Sequence, residues 1–162
     1  MKVILIALDY SPTAPRIAEI GYELATTMKA QTILLHVVAD VTYYSSRKYS
    51  PIIGFDNLSD IDIIQTDTNE QLQTASYKYL DKLKKLLGDE SIQTVVKNGE
   101  CGEIIVRTAT ELNADIIVMG THSRRGFEKL LLGSIAKNVL RNSLKPVLII
   151  PIKIAQENKS DN

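Results

Sequence analysis

Four short runs of unbroken apolar residues limit what this chain can become: residues 3–8 (VILIAL), 32–38 (TILLHVV), 115–119 (DIIVM) and Val147–Ile150 (VLII). None alternates apolar with polar residues, as a strand with one wet face does. Runs of this kind are buried on both faces, and strands buried on both faces belong to parallel sheets covered by helices. A fifth run, residues 92–97 (IQTVVK), is more polar and reads as a strand at a sheet edge.

The intervening segments carry helical spacing. Ile17, Ile20, Leu24, Ala25 and Met28 share one face of a helix, for which Ser11 is the expected N-cap with Pro12 in the first turn. Leu72, Ala75, Tyr79, Leu83 and Leu86 recur at steps of three and four until Gly88 stops them. Gly99-Glu100-Cys101-Gly102 reads as a turn, followed by a helix marked by Ile104, Ile105, Thr108, Ala109 and Leu112 that ends near Asn113. Ile135, Ala136, Val139 and Leu140 mark the last helix. The alternation βαβαβαβαβ predicts an α/β fold, a three-layer sandwich around a five-stranded parallel sheet. The expected strand order is 3-2-1-4-5, with its reversal between strands one and four. Residues 1–152 are expected to form one domain and residues 153–162 a disordered polar tail. Within the domain, residues 39–63 break the pattern and read as a long loop able to serve as a lid.

Composition narrows the function classes. Lysine plus arginine and aspartate plus glutamate balance at 19 each, which argues against a nucleic-acid binder relying on overall charge. The single cysteine, Cys101, allows no intramolecular disulfide and fits a reducing compartment. The opening apolar run is too short for a membrane span and lacks a signal-peptide cleavage pattern, so the cytoplasm is the expected location and no membrane is expected as a partner.

The chemistry concentrates between residues 115 and 150. A buried strand ends at Gly120, a polar basic loop carries Arg124, Arg125 and Lys129, and Gly133-Ser134 opens a helix. Unpaired amides and the helix dipole make such a start attractive to an anion. Neither G-x-x-x-x-G-K-[ST] nor a G-x-G-x-x-G after the first strand occurs, which excludes a P-loop enzyme and a dinucleotide-binding Rossmann domain. A surface loop of solvated arginines remains the alternative. Asp9 and Val37 lie at the carboxyl ends of their strands, where open parallel sheets bind ligands; Asp9 reads either as a ligand group or as the cap of the following turn. His36 and His122 have no acidic partners in metal-binding spacing. Cys101 stands at a helix start, where a thiolate is favoured, or is a small packing residue. No nucleophile has a base beside it in a recognisable motif, so no catalytic residue is assigned.

The stretch GTHSRRGFEKLLLGS, preceded by DIIVM and followed by LKPVLIIP, resembles the universal stress protein family. The resemblance extends to VILIALDYSPTA, LLHVV and GECGEIIVRTATELNADIIVMG, and so to nearly the whole chain. The family's nucleotide-binding pattern is glycine, two residues, glycine, nine residues, glycine, then serine or threonine. Gly120, Gly133 and Ser134 match it in place, and Ser123 stands where the second glycine would be. The serine hydroxyl is a small replacement able to donate to a phosphate. The resemblance implies a Rossmann-like fold of the adenine nucleotide alpha hydrolase type, and ATP as ligand, with or without Mg2+. It implies that Ala7 and Asp9 touch the adenosine, the carboxylate accepting from ribose hydroxyls, and that Val37 meets the adenine through its backbone. Gly120, Thr121, His122, Ser123, Arg124, Arg125 and Gly126 would wrap the ribose and phosphates, with Gly133, Ser134 and Ile135 at the helix start. It further implies a stress-response and signalling module with at most weak ATP hydrolysis, a homodimer formed through the last strand, Val147–Ile150, and a protein partner. The alternative is a member that binds no nucleotide and works through dimerisation or partner binding.

Overall fold

The computed structural model describes residues 1–39, 69–121 and 132–151. In chain order they form β1 (Val3–Ala7), α1 (Ala14–Thr27), β2 (Gln31–Val38), α2 (Asn69–Leu87), β3 (Gln93–Asn98), α3 (Cys101–Glu111), β4 (Ile116–Gly120), α4 (Ser134–Asn142) and β5 (Val147–Ile150). The strands are parallel, as the alternation of elements predicts, and lie in the expected order β3-β2-β1-β4-β5.

The period of two in each strand sends its apolar side chains to two cores. Ile4, Ile6, Leu8, Leu34, Val38 and Val118 pack with Ile17 and Ala18 of α1 and Leu80 and Leu83 of α2. Leu5, Ala7, Leu35, Val37, Ile117 and Met119 pack on the opposite face with Ile104, Ile105 and Ala109 of α3 and Ala136 and Val139 of α4. Three of the four apolar runs are thus explained, since β1, β2 and β4 have no wet side, whereas the fourth, Val147–Ile150, lies at an edge with Leu148 exposed. The polar run becomes β3 at one edge, and β5 forms the other.

Two helix starts differ from the sequence expectation. The first helical residue of α1 is Ala14, its N-cap position is Thr13, and Pro15 rather than Pro12 lies in the first turn. The Asp9 carboxylate accepts the Ser11 amide at 2.9 Å, and the Ser11 carbonyl accepts the Ala14 amide at 3.1 Å. These bonds hold residues 9–14 as turns and delay the helix. Conversely, Cys101 and Gly102 are already helical, because Glu100 acts as N-cap and accepts the amides of Gly102 and Glu103 at 3.2 and 2.7 Å. Gly88 ends α2 at φ +71°, as expected.

Gly99 carries the turn from β3 into α3 at φ +137°, and a Cβ there would lie 2.9 Å from Cγ1 of the buried Ile104. Steric overlap and an unfavourable backbone combine. Gly99→Ala is therefore expected to destabilise the fold by about 2–3 kcal/mol, read as a lowered urea midpoint with an unchanged m-value. No helix among the described residues is long and apolar enough to cross a membrane. Residues 40–63 of the expected lid and the tail at 153–162 lie outside the described residues.

Candidate functional site

The sheet order reverses at β1. Its connection leads away towards β2 and β3, whereas β4 and β5 build outward on the other side. The carboxyl ends of β1 and β4 therefore border a crevice that no crossover fills. Ala7 ends β1 and Gly120 ends β4. Ala7, Val37, Cys101 and Ile135 all belong to the packed layer on the α3/α4 side, so four residues from four elements converge on one face of the sheet at this end.

Asp9 follows at the β1 exit and is half-buried. Its Oδ1 accepts the Ser11 amide, so the turn-capping role is real. Its charge also reaches Cys101: burial first, then Glu100 and then Asp9, push that thiol up to about 11. Of the two readings of Cys101 the small packing residue is the one that fits, because the start of α3 already holds its anion in Glu100 and burial opposes a second charge.

The start of α4 is built differently. Its N-cap is Gly133, extended at φ −64° and ψ 162°, with no side chain to cap the amides that follow. The Gly133 amide donates to the Thr121 carbonyl at 2.9 Å, and the Thr121 amide donates to the Ile150 carbonyl at 3.1 Å. The segment between Thr121 and Gly133 is closed at its base by these bonds and pinned to β5. Thr121 is buried, Ser134 is exposed and Ile135 is half-buried. The structure thus brings Ala7, Asp9, Val37, Gly120, Thr121, Gly133, Ser134 and Ile135 to the carboxyl end of the sheet. His122, Ser123, Arg124, Arg125, Gly126 and Lys129 lie outside the described residues.

Under the crevice sits a polar cluster that sequence reasoning missed. His36 of β2 is buried, and its Nδ1 lies 2.8 Å from the Leu8 carbonyl. A carbonyl only accepts, so Nδ1 carries the proton and Nε2 is a bare acceptor, with no hydrogen-bond partner among the described residues. Burial lowers the His36 pKa to about 4, against a smaller upward pull from the Leu8 bond. The Tyr10 ring packs on the imidazole with centroids 4.2 Å apart, and Tyr79 meets the Tyr10 ring edge-on at 5.0 Å. Tyr79 of α2 donates to the Asp9 carbonyl at 2.9 Å. Tyr79 shows in the sequence only as one apolar position of a helix, and nothing there reveals that its hydroxyl reaches the β1 exit. Among the described residues no three His, Cys, Asp or Glu side chains gather as a metal site.

A chain with this sheet order, this pinned segment and an uncapped α4 invites comparison with known proteins. The sequence model of the Universal stress protein family matches residues 1–151. The chain belongs to the universal stress protein family. Universal stress protein MJ0577 of Methanocaldococcus jannaschii is 31% identical over 156 residues, covering 94% of this chain and 96% of that protein. The solved structure of MJ0577 superposes with a TM-score of 0.71 at 27% identity, covering 95% of this chain and 98% of that one. Two further universal stress protein structures share the fold at TM-scores of 0.58 each. One is in complex with cAMP, at 20% identity and covering 92% of this chain and 95% of that one. The other, from Archaeoglobus fulgidus, is in complex with dAMP, at 18% identity and covering 93% of this chain and 97% of that one.

Proposed function

We propose that this universal stress protein is an ATP-binding module of the stress response, cytoplasmic and dimeric, in which the crevice between β1 and β4 holds the nucleotide. The observation that carries the reading is the closed base of the segment between Thr121 and Gly133, which sets the uncapped start of α4 beside the carboxyl ends of the sheet. Amides at a helix start and the dipole behind them favour phosphate. In this reading Ala7 and Asp9 contact the adenosine, the Asp9 carboxylate accepting from ribose hydroxyls, and Val37 meets the adenine. Gly120, Thr121, His122, Ser123, Arg124, Arg125 and Gly126 surround the ribose and phosphates, while Ser134 and Ile135 donate from the helix start that Gly133 opens. Adenine nucleotides in the cAMP and dAMP complexes of the same fold support the choice of ligand class. Residues 1–152 act as one domain.

The dimer forms through β5. That strand is one edge of the sheet, its Leu148 is exposed, and so are Leu140 and Leu144, which precede it in the chain. An apolar edge pairs readily with a second copy.

Calorimetry with ATP and Mg2+, paired with mass spectrometry for co-purified nucleotide, tests the reading. Saturable heat or bound adenine nucleotide is expected, together with turnover no faster than a slow leak. No heat and no nucleotide would leave a member that works through dimerisation or partner binding alone. Light scattering is expected to give twice the 18.0 kDa chain mass.

A further inference from the structure

The turn that leaves β1 is held from below by side chains of two other elements. His36 Nδ1–H of β2 donates to the Leu8 carbonyl at 2.8 Å, and the Tyr79 hydroxyl of α2 donates to the Asp9 carbonyl at 2.9 Å. A third tie comes from the turn itself. Ser76 of α2 donates its hydroxyl proton to the Leu72 carbonyl, so the bond between Tyr10 and Ser76 is one in which Tyr10 donates. Three consecutive residues, Leu8, Asp9 and Tyr10, are therefore each tied to β2 or α2. The Asp9 carboxylate itself accepts the Ser11 amide at 2.9 Å, and its charge acts on both Tyr79 and Cys101.

Holding so short a turn by three hydrogen bonds exceeds what a chain reversal needs. The Asx turn at Asp9–Ser11 and the Leu8 amide bond to the Leu35 carbonyl at 2.9 Å already fix its path. Each such bond restricts the backbone carbonyl it holds, and ligand groups gain from supports that lock their geometry. We propose that His36 and Tyr79 are positioning residues for nucleotide binding: they clamp the Leu8 and Asp9 carbonyls and thereby aim the Asp9 carboxylate at the ribose. The proposal deepens the ATP reading and rests on it. Neither side chain touches the nucleotide. They act through the backbone they hold.

The test compares ATP with 2′,3′-dideoxy-ATP on the full chain by calorimetry, because only ATP offers hydroxyls to Asp9. The wild type is expected to prefer ATP about tenfold, the worth of one charge-assisted hydrogen bond. Tyr79→Phe keeps the ring and loses the clamp. It is expected to weaken ATP about tenfold, leave dideoxy-ATP unchanged and so erase the preference. His36→Asn, whose amide nitrogen reaches the place of Nδ1, retains most of the preference, and His36→Leu loses it. Equal loss for both nucleotides, as a merely structural role gives, or no loss for either, overturns the proposal. Amide hydrogen exchange without nucleotide supplies a separate arm. The Ser11 amide, bonded to Asp9, is expected to exchange about tenfold faster in Tyr79→Phe, while the Met28 amide at the far end of α1 is unchanged. Unchanged Ser11 exchange overturns the positioning role by itself, whereas a wild type that binds neither nucleotide overturns the ATP reading.

Discussion

Acidification from pH 6.5 to 4 is expected to remove roughly 3 kcal/mol of folding stability through His36 alone. Its pKa falls from an ordinary 6.5 to about 4 in the folded state because the ring is buried. Between those values the unfolded chain binds a proton that the folded chain refuses, so the unfolded state gains as pH drops. Above pH 6.5 both states hold the neutral ring and the term vanishes; below 4 both are protonated and the loss is complete. The surrounding groups sharpen the expectation. The neighbouring Tyr79 hydroxyl stays neutral throughout this range, because burial drives it still further from ionising. For a chain of this size a loss of roughly 3 kcal/mol lowers the melting temperature by about 6–12 °C. Calorimetric melting across the pH range checks this, and His36→Gln, which does not titrate, is expected to flatten the slope between pH 6.5 and 4. A wild-type curve as flat as that of the variant would show that the ring ionises without cost.

Gly133→Asp is expected to separate stability from function. The N-cap of α4 has φ −64°, which any L-residue adopts, and Gly133 has no side chain with which to satisfy the amides beyond it. An aspartate there caps them and meets the positive end of the helix dipole, for a gain of a few tenths of a kcal/mol. The same carboxylate occupies the place proposed for phosphate. Two like charges at about 4 Å repel by about 4 kcal/mol at the effective dielectric of a partly buried site. ATP affinity is then expected to fall at least a hundredfold in calorimetry while the melting temperature holds or rises. Affinity retained in the variant would move the phosphates away from α4 and remove the central support for the ATP reading.

The fold was readable in the sequence because burial on both faces leaves a plain trace. Runs such as VILIAL and TILLHVV cannot sit in a half-wet sheet, and helical spacing between them forces crossovers. Strand order was an expectation placed on top of that alternation, which by itself also allows other doubly wound orders, and the structure has the expected one. What escaped were effects carried by one atom reaching across elements. Ser11 looked like the N-cap of α1, but the Asp9 carboxylate takes its amide and keeps it in a turn. Cys101 stood open as a thiolate or a small packing residue, and the identity of residue 100 decided between them, since Glu100 answers those amides. Tyr79 read as a core position at helical spacing, which it is by burial, while its hydroxyl serves the β1 exit. Periodicity reports which face a residue occupies. It says nothing about where the polar tip of that residue ends up.

The bond from the Gly133 amide to the Thr121 carbonyl also bears on how this crevice can change over time. The folded core brings the two stems together, so the entropy of closing the intervening stretch scales only with the logarithm of its length. Doubling that stretch costs about 0.6 kcal/mol, a small part of a domain's stability. Insertions, deletions and wholesale exchange of the stretch are therefore tolerable without rebuilding the sheet. The scaffold behaves as a socket with fixed contacts, into which a stretch of different length or sequence can be grafted.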